Sequence, residues 1–415
     1  MIFHFPGGSI PIAVDRNGIR SPETPARSVR YAVAFSTRSD AVYTAFAGFV
    51  VKYRVIRFDM YHSLSVRISS NISRLHIRLI RAALFVGAFL FFGATPAHAA
   101  TLVSGTVSGT WASSGNPYVV TGSLYVAPGA TLSLDPGVVV KFHFGTGLTA
   151  DGSLSVNGTA SEKAVFTSVK DDLVDGQDSG NDGPTIGAPG DWNSIQFNGG
   201  SSGSLSNADI RYGGWTCFSC TFANVANKGG TVTIAGSRVS RGAAYGIRQF
   251  NVGTPSTDIS SSELDGQERG FFLEGGSASV SGSSVHDNLY GIFADTGATV
   301  ASLSVTGTTF TNNATAPGRV SLAVDLASSG NAATGGLRNG FIMVGALPPA
   351  STRTWNAGLP YVIGSVNVPA GSTLVVGPGA VVKPEFGGGL SVDGTLSVNG
   401  TAQAKAYFTS IKDDE

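Results

Sequence analysis

The chain is poor in the residue types on which most catalytic and disulfide-built proteins depend. Of 415 residues, two are cysteine, three methionine, four tryptophan and six histidine, and 13% carry charge. Two cysteines, Cys217 and Cys220, exclude a disulfide-stapled scaffold, so apolar burial must hold the fold together. Beyond residue 99 the histidines are His143 and His286 alone, a scarcity that removes most triad arrangements. No phosphate loop is present. Fifty-six glycines and few long helix formers point instead to an elongated β-rich body.

The balanced total of 27 basic and 27 acidic residues hides two opposed segments, about +8 over residues 1–99 and about −8 over 100–415. A mildly acidic body argues against nucleic acid as a partner. The basic segment ends in an export signal. Arg74, Arg78 and Arg81 precede an apolar run from Ala82 to Ala94, followed by Ala97-His98-Ala99, an A-x-A cleavage pattern. A run of about 13 residues is too short to span a bilayer, so the mature chain is expected to have no transmembrane segment. Met60 would start a signal peptide of ordinary proportions over 60–99, which leaves 1–59 as an over-extended gene start or a disordered leader.

From Val138 against Ala380 onward, the chain repeats itself at a shift of 242, with 24 of 35 positions identical. Lys141 matches Lys383, Asp151 matches Asp393 and Asp171 matches Asp413. So long a self-match implies tandem modules, the first over 100–354 and a second, truncated one over 355–415. The second copy stops just before the acidic loop that follows the first, and the chain is therefore expected to be part of a longer tandem protein.

Within each module, short alternating runs are separated by turn dipeptides. Leu132, Leu134, Val138, Val140, Phe142, Leu154 and Val156 fall on one face, with Ser133, Lys141 and Ser155 on the other. Equivalent inward residues Val239, Leu264, Val285 and Phe310 recur at intervals of 25, 21 and 25. Asp287-Asn288 and Asn312-Asn313 supply residues that tolerate the positive φ of a tight corner. Three strands per return of 21 to 25 residues predict a right-handed parallel β-helix, a single-chain solenoid about 65 Å long at about 4.8 Å per coil. A β-sandwich rarely keeps such a return, and a left-handed hexapeptide coil would return nearer every 18 residues.

These residues resemble the right-handed parallel β-helix repeat family, the pectate-lyase-like superfold, and in particular modules of large bacterial secreted and surface proteins. The resemblance rests on Thr354-Trp355, Pro360-Tyr361-Val362-Ile363, Gly377 to Lys383, Val398 to Ala402 and Phe408 to Asp414, with counterparts at Thr110-Trp111, Pro117 to Val120, Asp135 to Lys141, Val156 to Ala160 and Phe166 to Asp172. It covers essentially all of 100–415. It implies a secreted or cell-surface protein with a structural or adhesive role that contacts polysaccharide or other surface glycans. Because the scaffold also carries lyases and hydrolases, the alternative is an enzyme acting on an acidic polysaccharide.

Candidate chemistry concentrates in the loop holding Asp171, Asp172, Asp175, Asp178, Asn181 and Asp182. Asp175, Asp178, Asn181 and Asp182 are hard oxygen ligands that could hold calcium, although the regular D-x-D-x-D-G spacing and its twelfth-position glutamate are missing; a solvated acidic loop is the other reading. For the enzyme alternative, Asp171, Asp172 and Asp175 are the acids, and Arg238, Arg241 or Arg248 the cations. Cys217 and Cys220 read as a local disulfide in an exported protein; zinc there would need two further ligands. Trp192, Tyr212, Trp215 and Tyr290 either stack on sugars or cap the core, the second being commoner for aromatics at strand ends. Neither a cofactor nor an oligomeric state is specified. The exported chain is expected to begin at Ala100, and N-terminal sequencing of the secreted product reads this directly; a terminus upstream of Met60 would contradict it.

Overall fold

The computed structural model describes residues 100–216, 221–295 and 301–413. The expected export signal and the expected local disulfide of Cys217 and Cys220 lie outside the described residues. What is described is almost entirely β: a parallel β-solenoid of about 12 turns with about 24 residues per turn. A single 3-10 turn, Ser113–Gly115, is the helical element among the described residues. None of their helices is long and apolar enough to cross a membrane.

Each full coil contributes three strands, and each strand pairs in parallel with its counterparts one coil before and after. In the central coils these are, for example, Thr231–Ala235, Arg238–Ser240 and Tyr245–Gln249, followed by Ser256–Ser260, Glu263–Asp265 and Arg269–Leu273. The first strands stack into a nine-stranded ladder and then a separate three-stranded one. The second and third merge into one 21-stranded sheet. They merge because the nine-residue strand Tyr118–Val126 bridges both, pairing with Val139–Phe142 through its first half and with Leu148–Ala150 through its second.

The corners explain the period. Between first and second strands a single residue takes positive φ in successive coils: Asn207 (48°), Gly236 (60°), Ser261 (49°), Gly282 (52°) and Gly307 (56°). One left-handed residue turns the chain sharply without a loop, which glycine and asparagine permit most cheaply. Ser237, Ser262 and Ser283 then point inward and form a hydroxyl ladder, in which the Ser237 and Ser262 amides each donate to the next coil's Oγ at 3.1 Å. After the second strand the corner repeats at Arg241, Gly266, Asp287 and Asn312. There Gln267, Asn288 and Asn313 are stacked inside. The Gln267 amide donates to Asn288 Oδ1 at 3.1 Å, and Asn313 Nδ2 donates to the Val285 carbonyl at 2.8 Å. Corner backbone groups that lie outside the strand ladders thus find buried side-chain partners, as burial demands.

Between the corners the interior is a set of apolar columns. Ile210, Val239, Leu264, Val285 and Phe310 are stacked in register and at most 1% exposed. Each such side chain contributes about 1.5–3 kcal/mol by leaving water. Column positions need not be large. Gly203 sits in register with Leu154 and Val232, and the buried Phe197 ring fills its place. A Cβ on Gly203 would lie 2.5 Å from that ring.

The module repeat has its own internal marker. Trp111 stacks on Tyr118 with centroids 4.4 Å apart, and Trp355 stacks on Tyr361 at 4.8 Å. Between the modules the first ladder is interrupted: Val324–Ser329 ends the nine-stranded ladder and Thr352–Trp355 begins the three-stranded one. Arg353 lies in this gap beside Leu322, Val324, Leu326 and Met343, with its Nη2 donating to the Ala323 carbonyl at 3.4 Å.

Gly203→Ala is expected to destabilise the chain by about 1–3 kcal/mol, the usual penalty of overpacking a filled core. Chemical denaturation measures this, and an unchanged midpoint would mean that the Phe197 ring yields freely.

Candidate functional site

Because strands alternate inward and outward and coils stack in register, every outward position becomes a row along the solenoid. The three ladders thereby present three faces of different chemistry.

The first face is a lattice of hydroxyls. One row runs Thr131, Ser153, Ser202, Thr231, Ser256, Ser277, Ser302, and a parallel row, two residues along each strand, runs Ser133, Ser155, Ser204, Thr233, Asp258, Ser279, Ser304. Among these 14 positions Asp258 is the single charge, and it accepts a hydrogen bond from Ser279 Oγ at 2.7 Å; on the next strand the two rows end in Asp325 and Ala327. Rows of this kind repeat about every 4.8 Å along the coil stack and lie about 7 Å apart across it. Beneath them the inward columns are apolar except at Thr257, whose buried hydroxyl accepts from Asn227 Nδ2.

The second face is ionic. Arg211 bonds both Asp209 and Asp171, each at 2.7 Å. Burial is the largest influence on Asp209 and pushes its carboxyl above the ordinary value in spite of Arg211. One coil further, Arg238 clamps Asp265 through Nε and Nη2, both at 2.8 Å. Beside this clamp, His286 sets Nε2 against Glu263 Oε1 at 2.9 Å and Nδ1 against Asp287 Oδ2 at 2.8 Å. Partial burial works against the charged imidazole, but the hydrogen bonds to Asp287 and Glu263 outweigh it and raise the value above the ordinary one.

The third face alternates arginine with aromatic rings. Arg248, Phe272, Phe293 and Arg319 occupy one row. The Arg269 guanidinium lies 4.4 Å from the Phe272 centroid and 3.8 Å from that of Phe293. Arg248 and Arg319 also pair with Glu274 and Asp295, at 2.9 and 3.1 Å. The rings are thus covered by the chain's own cations, and each contact stabilises by about 0.5–2 kcal/mol.

No family model matches the chain, and neither a curated protein nor a solved structure does. The functional reading therefore rests on these faces and on the acidic loop.

The acidic loop closes over Lys141. This side chain points outward from its strand, as the alternation predicts, yet it is fully buried. Its Nζ donates to Asp175 Oδ1 at 2.7 Å, to the Gln177 carbonyl at 3.0 Å and to Ser179 Oγ at 3.2 Å. Asp178 accepts from the amides of Asp182 and Gly183, at 3.1 and 2.9 Å. Asn181 holds positive φ at the loop's turn. Asp182 Oδ1 accepts from Thr185 Oγ1 at 3.4 Å, and Asp172 accepts from the Thr185 amide at 2.8 Å. Among the described residues, the one group of three or more potential metal-binding side chains whose ligand atoms lie within 4.8 Å of one another is Glu263, Asp265 and His286, away from this loop.

The acids and cations singled out for catalysis are not brought together. Asp171 pairs with Arg211 and Asp175 with Lys141, whereas Arg238 and Arg248 pair on separate faces and Arg241 donates to Tyr212 Oη at 2.8 Å. Of the aromatics, Trp192 and Tyr212 are core residues; Trp192 stacks on Phe142 at 4.4 Å and donates from Nε1 to the Arg211 carbonyl. Trp215, half-buried, tilts against the exposed Phe144, and Tyr290 packs edge-on to Phe293. The convergence on His286 escaped sequence reading, although its signal was available: Asp265 and His286 are 21 residues apart and Arg238 and Glu263 are 25 apart, both one coil.

Lys141→Met leaves Asp175 and two further acceptors without their cation. The expected loss is about 3 kcal/mol or less, because the loop can open to water. Limited proteolysis is expected to nick the variant within 172–190 faster than the wild type, and equal rates would show that Lys141 does not fasten the loop.

Proposed function

We propose that this chain is a right-handed β-helix module of the pectate-lyase-like type, secreted or held at a cell surface, with a structural and adhesive role in which it grips extended glycans. The handedness follows the rule that crossovers joining parallel strands are right-handed in nearly all sheets. One observation carries the functional reading: 13 of the 14 outward positions in two rows across seven consecutive strands are serine or threonine.

Each hydroxyl both donates and accepts, matching the hydroxyls of a sugar chain. A single such bond made in competition with water nets only about 0.5–1.5 kcal/mol. One serine is therefore useless as a grip. A lattice is different, because the first contact tethers the polymer and later contacts form at high effective concentration. A face with one charge in 14 positions favours neutral over acidic chains, and its binding should survive salt.

The test is co-sedimentation of the full chain with insoluble polysaccharides, among them cellulose, chitin and xylan, at low and high salt. Retention on at least one neutral polymer is expected, insensitive to salt and reduced about tenfold or more by the pair Ser204→Glu and Thr233→Glu, since charges on a face built for uncharged contacts demand desolvation. No retention on any polymer, or equal retention of the variant, would overturn the reading. Release of reducing ends or unsaturated products from polyuronates would replace it with polysaccharide cleavage.

A further inference from the structure

We infer that Glu263, Asp265 and His286 form a binding site for a borderline divalent cation of the zinc class on the outer face of the second ladder. Asp265 and His286 are direct partners on adjacent strands, and Glu263 lies two residues before Asp265 on the same face. One ligand atom from each residue lies within 4.8 Å of the other two. The three side chains come from the regular, core-backed part of the solenoid, which fixes their spacing.

The imidazole carries the argument. Its Nδ1 is held by Asp287 Oδ2 at 2.8 Å, which turns Nε2 onto Glu263 Oε1 at 2.9 Å. A carboxylate on the far nitrogen is the support that orients metal-binding histidines and makes them better donors. With Nδ1 donating to Asp287, the Nε2 lone pair and Glu263 Oε1 lie side by side, 2.9 Å apart, as two donor atoms that one cation can share.

Charge and chemistry agree. Glu263, Asp265 and Asp287 against Arg238 leave −3 + 1 = −2 around a neutral imidazole, which one divalent cation cancels. Arg238 occupies both Asp265 oxygens, but each carboxylate oxygen keeps a second lone pair for a metal. Arg238 is thus the resident competitor of the ion. One imidazole with two carboxylates selects zinc-class ions over calcium or magnesium, which prefer oxygen alone. His286 and Glu263 side chains are 22% and 38% exposed, leaving room for water in the remaining positions.

The inference is independent of the hydroxyl face. Its test is equilibrium dialysis of the metal-stripped full chain against zinc chloride, with bound zinc counted per chain. One zinc per chain is expected. His286→Ala and the near-isosteric Glu263→Gln should each weaken binding about tenfold or more. Arg238→Met should tighten it by removing the competitor, and Asp178→Asn in the acidic loop should leave it unchanged. Circular dichroism confirms that each variant keeps its β signature. Absence of zinc uptake, or uptake unaffected by both His286→Ala and Glu263→Gln, overturns the site; loosening by Arg238→Met overturns the competition.

Discussion

Register between successive coils is the constraint on which everything else rests. A strand in a solenoid has no partners except its counterparts one turn away, so the chain must return to the same phase each time or lose a row of backbone hydrogen bonds. Strict equality of length is not needed. The intervals of 25, 21 and 25 between Val239, Leu264, Val285 and Phe310 vary, while the pairing of those residues does not. The variation is absorbed outside the corner between first and second strands, where one positive-φ residue sets the turn in coil after coil. Loop length is thus free wherever the corner is open, and the acidic loop of the first module exploits that freedom.

The same register converts sequence composition into surface chemistry. Residues about two dozen positions apart become neighbours about 4.8 Å apart, and a weak preference for serine at one strand position becomes a lattice. Charges behave differently from hydroxyls under this rule. Like charges in a row would repel, and the second face avoids this by alternating Arg211 with Asp209 and Asp171, and Arg238 with Asp265 and Glu263. The third face avoids it by interleaving rings with guanidinium groups. The hydroxyl face needs no such device and stays open. Its openness is why the proposed glycan contact is placed there.

The repeated Lys-and-Asp pattern is structural in the first module. Lys141, Thr167 and Asp171 recur as Lys383, Thr409 and Asp413, and in both copies the threonine hydroxyl donates to the aspartate; Lys141 reaches the following loop, whereas Lys383 donates to the Asp413 carbonyl. A buried ammonium is tolerable only where acceptors surround it, and the loop supplies three. Sequence alternation could assign Lys141 to the outside but could not foresee a loop folding over it.

By itself the sequence determined the coil. Alternation over Leu132 to Val156, glycine and asparagine at the corners, and a return of about two dozen residues are local signals, and the solenoid is built from local returns. It also determined the inward columns, since Val239, Leu264, Val285 and Phe310 are buried as their spacing implied. Tertiary structure decided what the outward residues do. Whether Asp175 meets a lysine, whether Trp192 stacks in the core and whether His286 meets Glu263 depend on loop paths and on phase between coils at the scale of a single residue. A one-residue slip would move His286 or Glu263 to the opposite face of its strand. Period is a property of composition and turns, and survives such slips; side-chain convergence does not.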